Sequence, residues 1–451
     1  MICLSKPTKL AWLISFLLIG LFVTGYAFAS DTDSKPDDAN PLRFYQGENN
    51  SYLQATIKAE LAYFNQGNSW FGESRQNLGN HSGQWWEGTI RPGIEGSYFF
   101  NAGEAYGRVD AVHGNTDGTD AANSNDGRGD ISEMRMEDAY IGWRSGNMFS
   151  SLGKDFLDIS FGRQQYVAGN GFLFYSESSN GGRRGAYWMG ARHNADYAGI
   201  VRVKTGGFSS DLLYLKADDK PNSDTKAGGA TVDYTFEKMG NIGGGVYYID
   251  SDIESRDSMK VYDARLSLHP FAFFEGLSVL QPFVVEAEYV YEDPDQGFSS
   301  GNGWYVSGGY QFDVPWKPSL TYRYASFDKD YDPLFYGFND WGYWYQGEIL
   351  GEYVLSNSNL NSHMVRLNVT PIDVISVNLF YYNFRIEDAS AFGVQSKDYA
   401  DEYDLTVDWS VNDHVSFSVV GAYADPDDAA KEQTGGNKSW TYMMLYGSVK
   451  F

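Results

Sequence analysis

Cysteine is almost missing from this chain: Cys3 is the only one among 451 residues. A disulfide framework, a cysteine metal site and a thiol nucleophile are thereby excluded from everything beyond the first residues. Long apolar runs are missing too, because nothing after the N-terminal stretch stays apolar for the ~20 residues a spanning helix needs. Basic side chains are scarce. Without residues 1–29 the chain keeps 32 of its 34 Lys and Arg (Lys6 and Lys9 go) against 59 Asp and Glu, a net charge of −27. Such a surface repels nucleic acid, so no nucleic-acid partner is expected. The histidines His81, His113, His193, His269, His363 and His414 are scattered, and no H-E-x-x-H, G-x-S-x-G or phosphate-binding glycine loop is present. No catalytic residue, cofactor or metal site is expected, since "NTDGTDAANSNDGRGD" and "DPDDAAKE" give no EF-hand spacing in any register. They read first as solvated loops, with weak Mg²⁺ or Ca²⁺ bridging to lipopolysaccharide phosphate as the alternative.

The N-terminus reads as a secretory signal. Lys6 and Lys9 precede the apolar run Leu10 to Val23, and "YAFAS" supplies a small-x-small site, which predicts cleavage after Ala29. A membrane anchor is the alternative, and the run is short for one. Residues 30–50 follow as an acidic leader, and 51–451 form the main domain.

What the chain has in excess is aromatic residues, 17% of the total, together with 50 glycines. They sit in segments of period two. In "YLQATIKAELAYF", Leu53, Ala55, Ile57, Ala59, Leu61 and Tyr63 share one face and Gln54, Thr56, Lys58 and Glu60 the other. Counting this one, 18 such segments recur down to the terminal "TYMMLYGSVKF". A strand that faces lipid on one side and a wet bore on the other has this pattern. The predicted fold is therefore an all-β transmembrane antiparallel barrel of 18 strands, with 16 as the fallback.

Connection lengths support the phase, since such barrels put short turns on one side and long loops on the other. Short turns are predicted near 101, 205, 239, 315, 371 and 411, with long loops between them. The alternation holds if 165–195 and 328–358 are each one non-crossing loop. Two turns, 145–154 and 269–280, are long for their side, and Pro92 sits inside a strand, where it predicts a bulge or an interrupted ladder. Phe451, on the apolar parity of the last strand, would rest against lipid once that strand pairs with the first. A soluble β-sandwich edge is the alternative at this point.

The stretches "FGRQQYVAGNGFLF", "GGRRGAYWMGARHNADYAGIVRVKTGGFSSDLLYLKA" and "YDPLFYGFNDWGYWYQGEILGEYVL" resemble the alginate-export family of outer-membrane barrels, from about residue 45 to the C-terminus. The resemblance implies an 18-stranded barrel passing an anionic polysaccharide through an arginine-rich lumen. It also implies that Phe451 is the aromatic terminus read by the barrel-assembly machinery. Outer-membrane lipid and lipopolysaccharide, that machinery, and a small solute or polysaccharide are the partners it implies.

The sequence departs from the family in charge. On the lumen-facing parity stand eight cations, Lys58, Arg91, Arg108, Arg202, Lys204, Arg265, Arg323 and Arg366. Against them stand thirteen anions: Glu60, Glu87, Glu95, Glu104, Asp110, Asp233, Glu237, Asp263, Glu286, Glu288, Glu402, Asp404 and Asp408. In the 165–195 loop, Arg183, Arg184 and Arg192, with Tyr187 and Trp188 between them, form a candidate constriction that would bind an anionic group through a guanidinium fork. The alternative is that they neutralise acidic neighbours. In the 328–358 loop, Tyr336, Trp341 and Trp344 are a candidate carbohydrate platform, and a self-burying plug or interfacial girdle is the reading weighed ahead of it. The expectation is an outer-membrane, porin-like channel of a two-membrane bacterium that passes an anionic or carbohydrate solute. A lipid-active barrel enzyme and a loop-plugged structural or adhesion barrel are the alternatives.

Overall fold

The structure is a computed structural model, and it describes residues 41–451 except 79–82, 124–130, 179–180, 220–222, 296 and 338–345. The expected signal peptide and residues 30–40 of the leader lie outside the described residues.

Nineteen strands follow in order among the described residues. They are β1 (Arg43–Gln46), β2 (Tyr52–Gly67), β3 (Gln84–Phe100), β4 (Gly103–Gly118), β5 (Ile131–Arg144), β6 (Leu157–Arg163) and β7 (Tyr197–Thr205). Next come β8 (Phe208–Lys216), β9 (Lys226–Phe236), β10 (Gly240–Asp250), β11 (Met259–Leu268), β12 (Phe283–Asp293) and β13 (Gly301–Gln311). The last are β14 (Ser319–Phe327), β15 (Leu360–Ile372), β16 (Ile375–Ile386), β17 (Asp398–Ser410), β18 (Val415–Pro426) and β19 (Trp440–Lys450). Each of β2 to β19 pairs antiparallel with its neighbour in sequence, and β19 returns to pair with β2. This is a closed, transmembrane barrel of 18 strands, each falling on one of the segments read from alternation. Closure leaves no edge whose backbone N–H and C=O groups would face hydrocarbon unpaired. Among the described residues no helix is long and apolar enough to cross a membrane.

The seam explains the terminal phenylalanine. Phe451 N–H donates to the Ile57 carbonyl at 2.9 Å, and Ile57 N–H donates to the Phe451 carbonyl at 3.1 Å. Its ring stacks on His414 at 4.8 Å. Just below it, β1 continues the same seam, with Arg43 opposite Gln54 and Gln46 opposite Tyr52. That strand falls within the stretch the sequence presented as a leader.

Short turns, β1 and the C-terminal residue share one rim, and long loops share the other. The 145–156 and 269–282 connections lie on the short-turn side despite their length. Pro92 stays inside β3 opposite Ile57, but the ladder to β4 jumps from Ile90–His113 to Gly93–Asp110. A residue with no N–H cannot complete that rung. Next to it, β5 is bulged against β4, Val109 facing Ala139 and Ala111 facing Met136. The side-chain parity of β5 therefore flips: Met134 and Met136 point outward before the bulge, Ile141 after it.

Candidate functional site

A loop inside a barrel has a backbone problem, because its N–H groups leave bulk water and need acceptors. Two long loops meet it together. The 164–196 loop joins β6 to β7, and the 328–359 loop joins β14 to β15. Tyr166, Phe172, Leu173 and Phe174 from the first share one buried core with Ile349, Leu350 and Leu355 from the second and with Tyr247, Tyr305, Tyr382 and Trp440 of the wall. The loops also bond to each other. Phe335 N–H donates to the Leu173 carbonyl at 3.2 Å, and Tyr175 and Ser176 N–H both donate to the Phe335 carbonyl at 2.9 Å.

The remaining acceptors are carboxylates on the inward face of the strands. Glu87 Oε2 accepts from the N–H of Trp188 at 2.8 Å and of Met189 at 3.3 Å. Glu137 Oε1 accepts from His193 at 3.0 Å and Arg192 at 3.3 Å. Glu402 accepts from Ile349 at 2.7 Å and Leu350 at 2.8 Å, Asp404 from Glu348 at 3.2 Å, and Glu292 from Asp332 at 2.7 Å. All five side chains are buried. Parity placed Glu87, Glu402 and Asp404 in the lumen but missed Glu137 and Glu292. Glu137 points inward because of the β5 bulge, and Glu292 lies one residue past the segment end taken from the sequence.

Other lumen charges are spent on one another. Arg91 bonds Asp110 at 2.9 Å and also holds Asp138, while Arg108 reaches Asp110 at 2.8 Å and Glu95 at 3.2 Å. Arg265 holds Asp233 at 2.8 Å together with Asp263, and Arg202 meets Asp211 at 3.3 Å. Arg323 is buried, with Nη2 on Gln346 Oε1 at 3.3 Å. Arg366 donates to Asn378 Oδ1 at 2.8 Å. Glu286 accepts from Ser267 at 3.3 Å and Ser307 at 3.4 Å, and Glu288 is buried. Lys204 is exposed near the short-turn rim.

The three loop arginines do not converge on one fork. Arg184 is 3% exposed, and it donates to Ser178 Oγ, to the Ala191 carbonyl at 3.0 Å and to the Asp218 carbonyl, with an ion pair to the Asp218 carboxylate at 3.1 Å. It clips the loop to itself and to the β8–β9 connection. Arg163 joins the clip at 2.8 Å from Asp218, turned there by Gly162, whose φ of 132° no L side chain holds easily. Arg183 is exposed and stands apart from the wall of the cavity beneath the loop. Arg192 does line that cavity. Its Nη1 donates to the Tyr187 carbonyl at 3.4 Å, and its Nε is buried without a hydrogen-bond partner among the described residues.

Around Arg192 the loop is packed with aromatic rings. Tyr187 donates to the Glu352 carbonyl at 3.3 Å and stacks on Tyr353 at 5.9 Å, and Trp188 Nε1 donates to Tyr353 Oη at 3.2 Å. Tyr336 also borders the cavity, while Trp341 and Trp344 lie outside the described residues. His193 sits beside Ser176 Oγ at 3.1 Å. Its pKa is lowered to about 3, first by burial and then by the charges of Arg192, Arg91 and Lys58, so the ring is neutral at physiological pH. Burial likewise pushes the Glu177 carboxyl well above its ordinary value, and that group accepts from Tyr166 N–H at 3.3 Å.

The cavity under the two loops measures about 1460 Å³ and extends to the short-turn rim at Asp413 and His414. Its charged lining includes Lys58, Arg91, Arg192, Arg366 and Lys450, and, opposing them, Glu60, Glu137, Glu352, Asp408 and Asp413. Of the sequence-identified lumen cations, Arg108, Arg202, Lys204, Arg265 and Arg323 do not line it.

No protein-family model and no curated protein matches this sequence. Solved structures do match by fold. OccAB1 of Acinetobacter baumannii aligns at 13% identity and a TM-score of 0.58, over 88% of this chain and 97% of that one. OccK2 (OpdF) of Pseudomonas aeruginosa aligns at 11% and 0.58 over 88% and 97%. OccD3 (OpdP) of the same organism aligns at 10% and 0.56 over 93% and 96%. At such identities the likeness is one of fold, and the fold is that of a porin-like outer-membrane barrel.

Proposed function

We propose that this barrel is an outer-membrane channel through which a small anionic or carbohydrate solute diffuses passively. The observation that carries the reading is the roof of the cavity. There Arg192, its Nε without a hydrogen-bond partner among the described residues, lines the same cavity as Arg91 and Lys58 and as Tyr187, Trp188 and Tyr336. A desolvated guanidinium attracts an anionic group, and rings beside it give a sugar a surface to stack on. No chemical step is required of the protein.

The resemblance to alginate-export barrels would make the solute a polyanionic saccharide. The even mix of cations and anions around the cavity favours a short solute over a long polyanion, because a wall of mixed sign gives a polymer alternating attraction and repulsion. A second reading, a structural barrel plugged by its loops, is supported by the common core of the 164–196 and 328–359 loops. Single-channel recording separates the two, since a plugged barrel passes no steady current.

The selectivity claim is tested by reversal potential in a salt gradient across a planar bilayer. The native channel is expected to prefer anions, and Arg192→Ala to weaken that preference. A native channel that prefers cations and ignores Arg192→Ala overturns the reading.

A further inference from the structure

The connection between β11 and β12 is the longest on the short-turn rim. Connections there are as short as two or three residues, at 206–207, 237–239 and 373–374, and the β13–β14 one beside it covers 312–318, whereas this one runs from 269 to 282 as "HPFAFFEGLSVLQP", with 145–156 the other long one. It contains a short 3₁₀ turn, Glu275–Leu280. A turn of this length at the aqueous rim would be expected to be polar. Here Val279 is 74% exposed and Phe273 61%, and Phe274, Leu277 and Leu280 are exposed with them. The only charged residue is Glu275, and there is no Lys or Arg.

The turn also lies on the outer wall of the barrel. Tyr310 stands on the even parity of β13, the parity on which Val306 is exposed to the outside, while Tyr305 and Ser307 point inward and are buried. Its hydroxyl donates to the Val279 carbonyl at 2.5 Å. Phe271 packs against Phe283, which shares the outward parity of Tyr289, at 6.0 Å. At its start the segment is pinned by His269 N–H to the Met239 carbonyl at 2.7 Å. The exposed apolar residues therefore continue the lipid-facing belt downward, and the β13–β14 connection, 312–318, on the same rim also exposes Phe312, Val314 and Trp316.

We propose that the 269–282 turn is a lipid-docking element, seated at the boundary between headgroups and acyl chains of the leaflet on the short-turn side. The occupant follows from continuity with the lipid-facing wall and from the lack of any basic residue that would seek phosphate or an acidic partner. The apolar face of an interfacial segment sits about 5–10 Å into the boundary region. The proposal requires the barrel to be in a bilayer but does not depend on what the lumen passes.

The test places a single bimane label by Val279→Cys in a Cys3→Ser background, with the full chain refolded into phosphatidylethanolamine–phosphatidylglycerol vesicles. Gly206→Cys, in a two-residue turn on the same rim, reports an aqueous position, and Val306→Cys on the outer wall reports insertion of the barrel. The label at 279 is expected to be quenched by lipids spin-labelled near the headgroup at least about twofold more than the label at 206, and less than it by iodide, as a boundary position requires. Iodide quenching at 279 equal to that at 206 overturns the proposal. Loss of lipid quenching at 279 while 306 stays quenched also overturns it, and cross-linking of two copies through 279 would then identify a second copy as the occupant.

Discussion

The long-loop half and the short-turn half of the lumen carry the same residue types on the same inward face, yet they use them differently. Toward the loops, Glu87, Glu137, Glu292, Glu402 and Asp404 are buried and bound to backbone N–H groups of the infolded segments. Toward the turns, Glu60, Asp408 and Asp413 border the open cavity, and Glu60 takes a lysine, Lys58, at 2.8 Å. An inward carboxylate is therefore not automatically a pore charge. The excess of acid over base that set this chain apart from a cationic export lumen is in part a set of fastenings, and their charge acts on the loop backbone instead of on a passing ion.

The largest effect should come from breaking a fastening. Glu402→Ala leaves the Ile349 and Leu350 N–H groups buried without their acceptor, at a cost of about 1–3 kcal/mol each. Limited proteolysis within 346–357 should then become rapid, while the same treatment of Asp408→Ala, from the open half, leaves the loop protected. Next is Arg184→Ala, which removes the clip to Ser178, Ala191 and Asp218 and should destabilise the 164–196 loop by about 1–3 kcal/mol without moving the reversal potential. A shift in selectivity on that change would erase the distinction between clip and pore arginine.

Smaller is the effect of Arg192→Ala. It should leave thermal stability within error and lower the anion-to-cation permeability ratio by roughly threefold, the scale of one partly screened charge at close range. His193 sharpens the same comparison through pH. Its folded pKa of about 3 lies below its ordinary 6.5, so as pH falls below 6.5 the unfolded loop takes up a proton that the folded loop refuses. Loop protection measured by hydrogen exchange should therefore weaken as pH drops from 6.5 toward 3 in the native chain, and less in His193→Gln. Selectivity should show no inflection from this residue in that range. Smallest is salt: raising ionic strength from about 0.1 M to about 1 M cuts the Debye length from about 10 Å to about 3 Å and should flatten the anion preference while the buried fastenings hold.

Alternation made the barrel legible, since lipid on one side and water on the other impose period two on every crossing strand. Phe451 and the seam were legible for the same reason, and the interruption at Pro92 was legible because proline has no N–H to give a rung. The site was far less so. Parity tells which face a side chain takes, but not how high it sits in the bore or what folds in above it. Glu402 and Asp408 look alike in "EYDLTVDW", and only the 328–359 loop makes one an anchor and leaves the other in the cavity wall. Arg184 and Arg192 look alike in the same way, because loop conformation has no period to read. Glu137 shows a third limit: a bulge in its own strand reverses the alternation that parity depends on. One signal was available in principle, for Pro92 marked this neighbourhood as irregular.

Single-channel conductance of the native barrel against Glu402→Ala tests the account most directly. If inward carboxylates hold the loops that narrow the bore, the native channel shows a steady, small conductance, and Glu402→Ala shows larger, fluctuating steps. An unchanged conductance in a variant whose loop has become protease-sensitive would contradict it, for the loops would then be fastened as described and yet have no part in setting the pore.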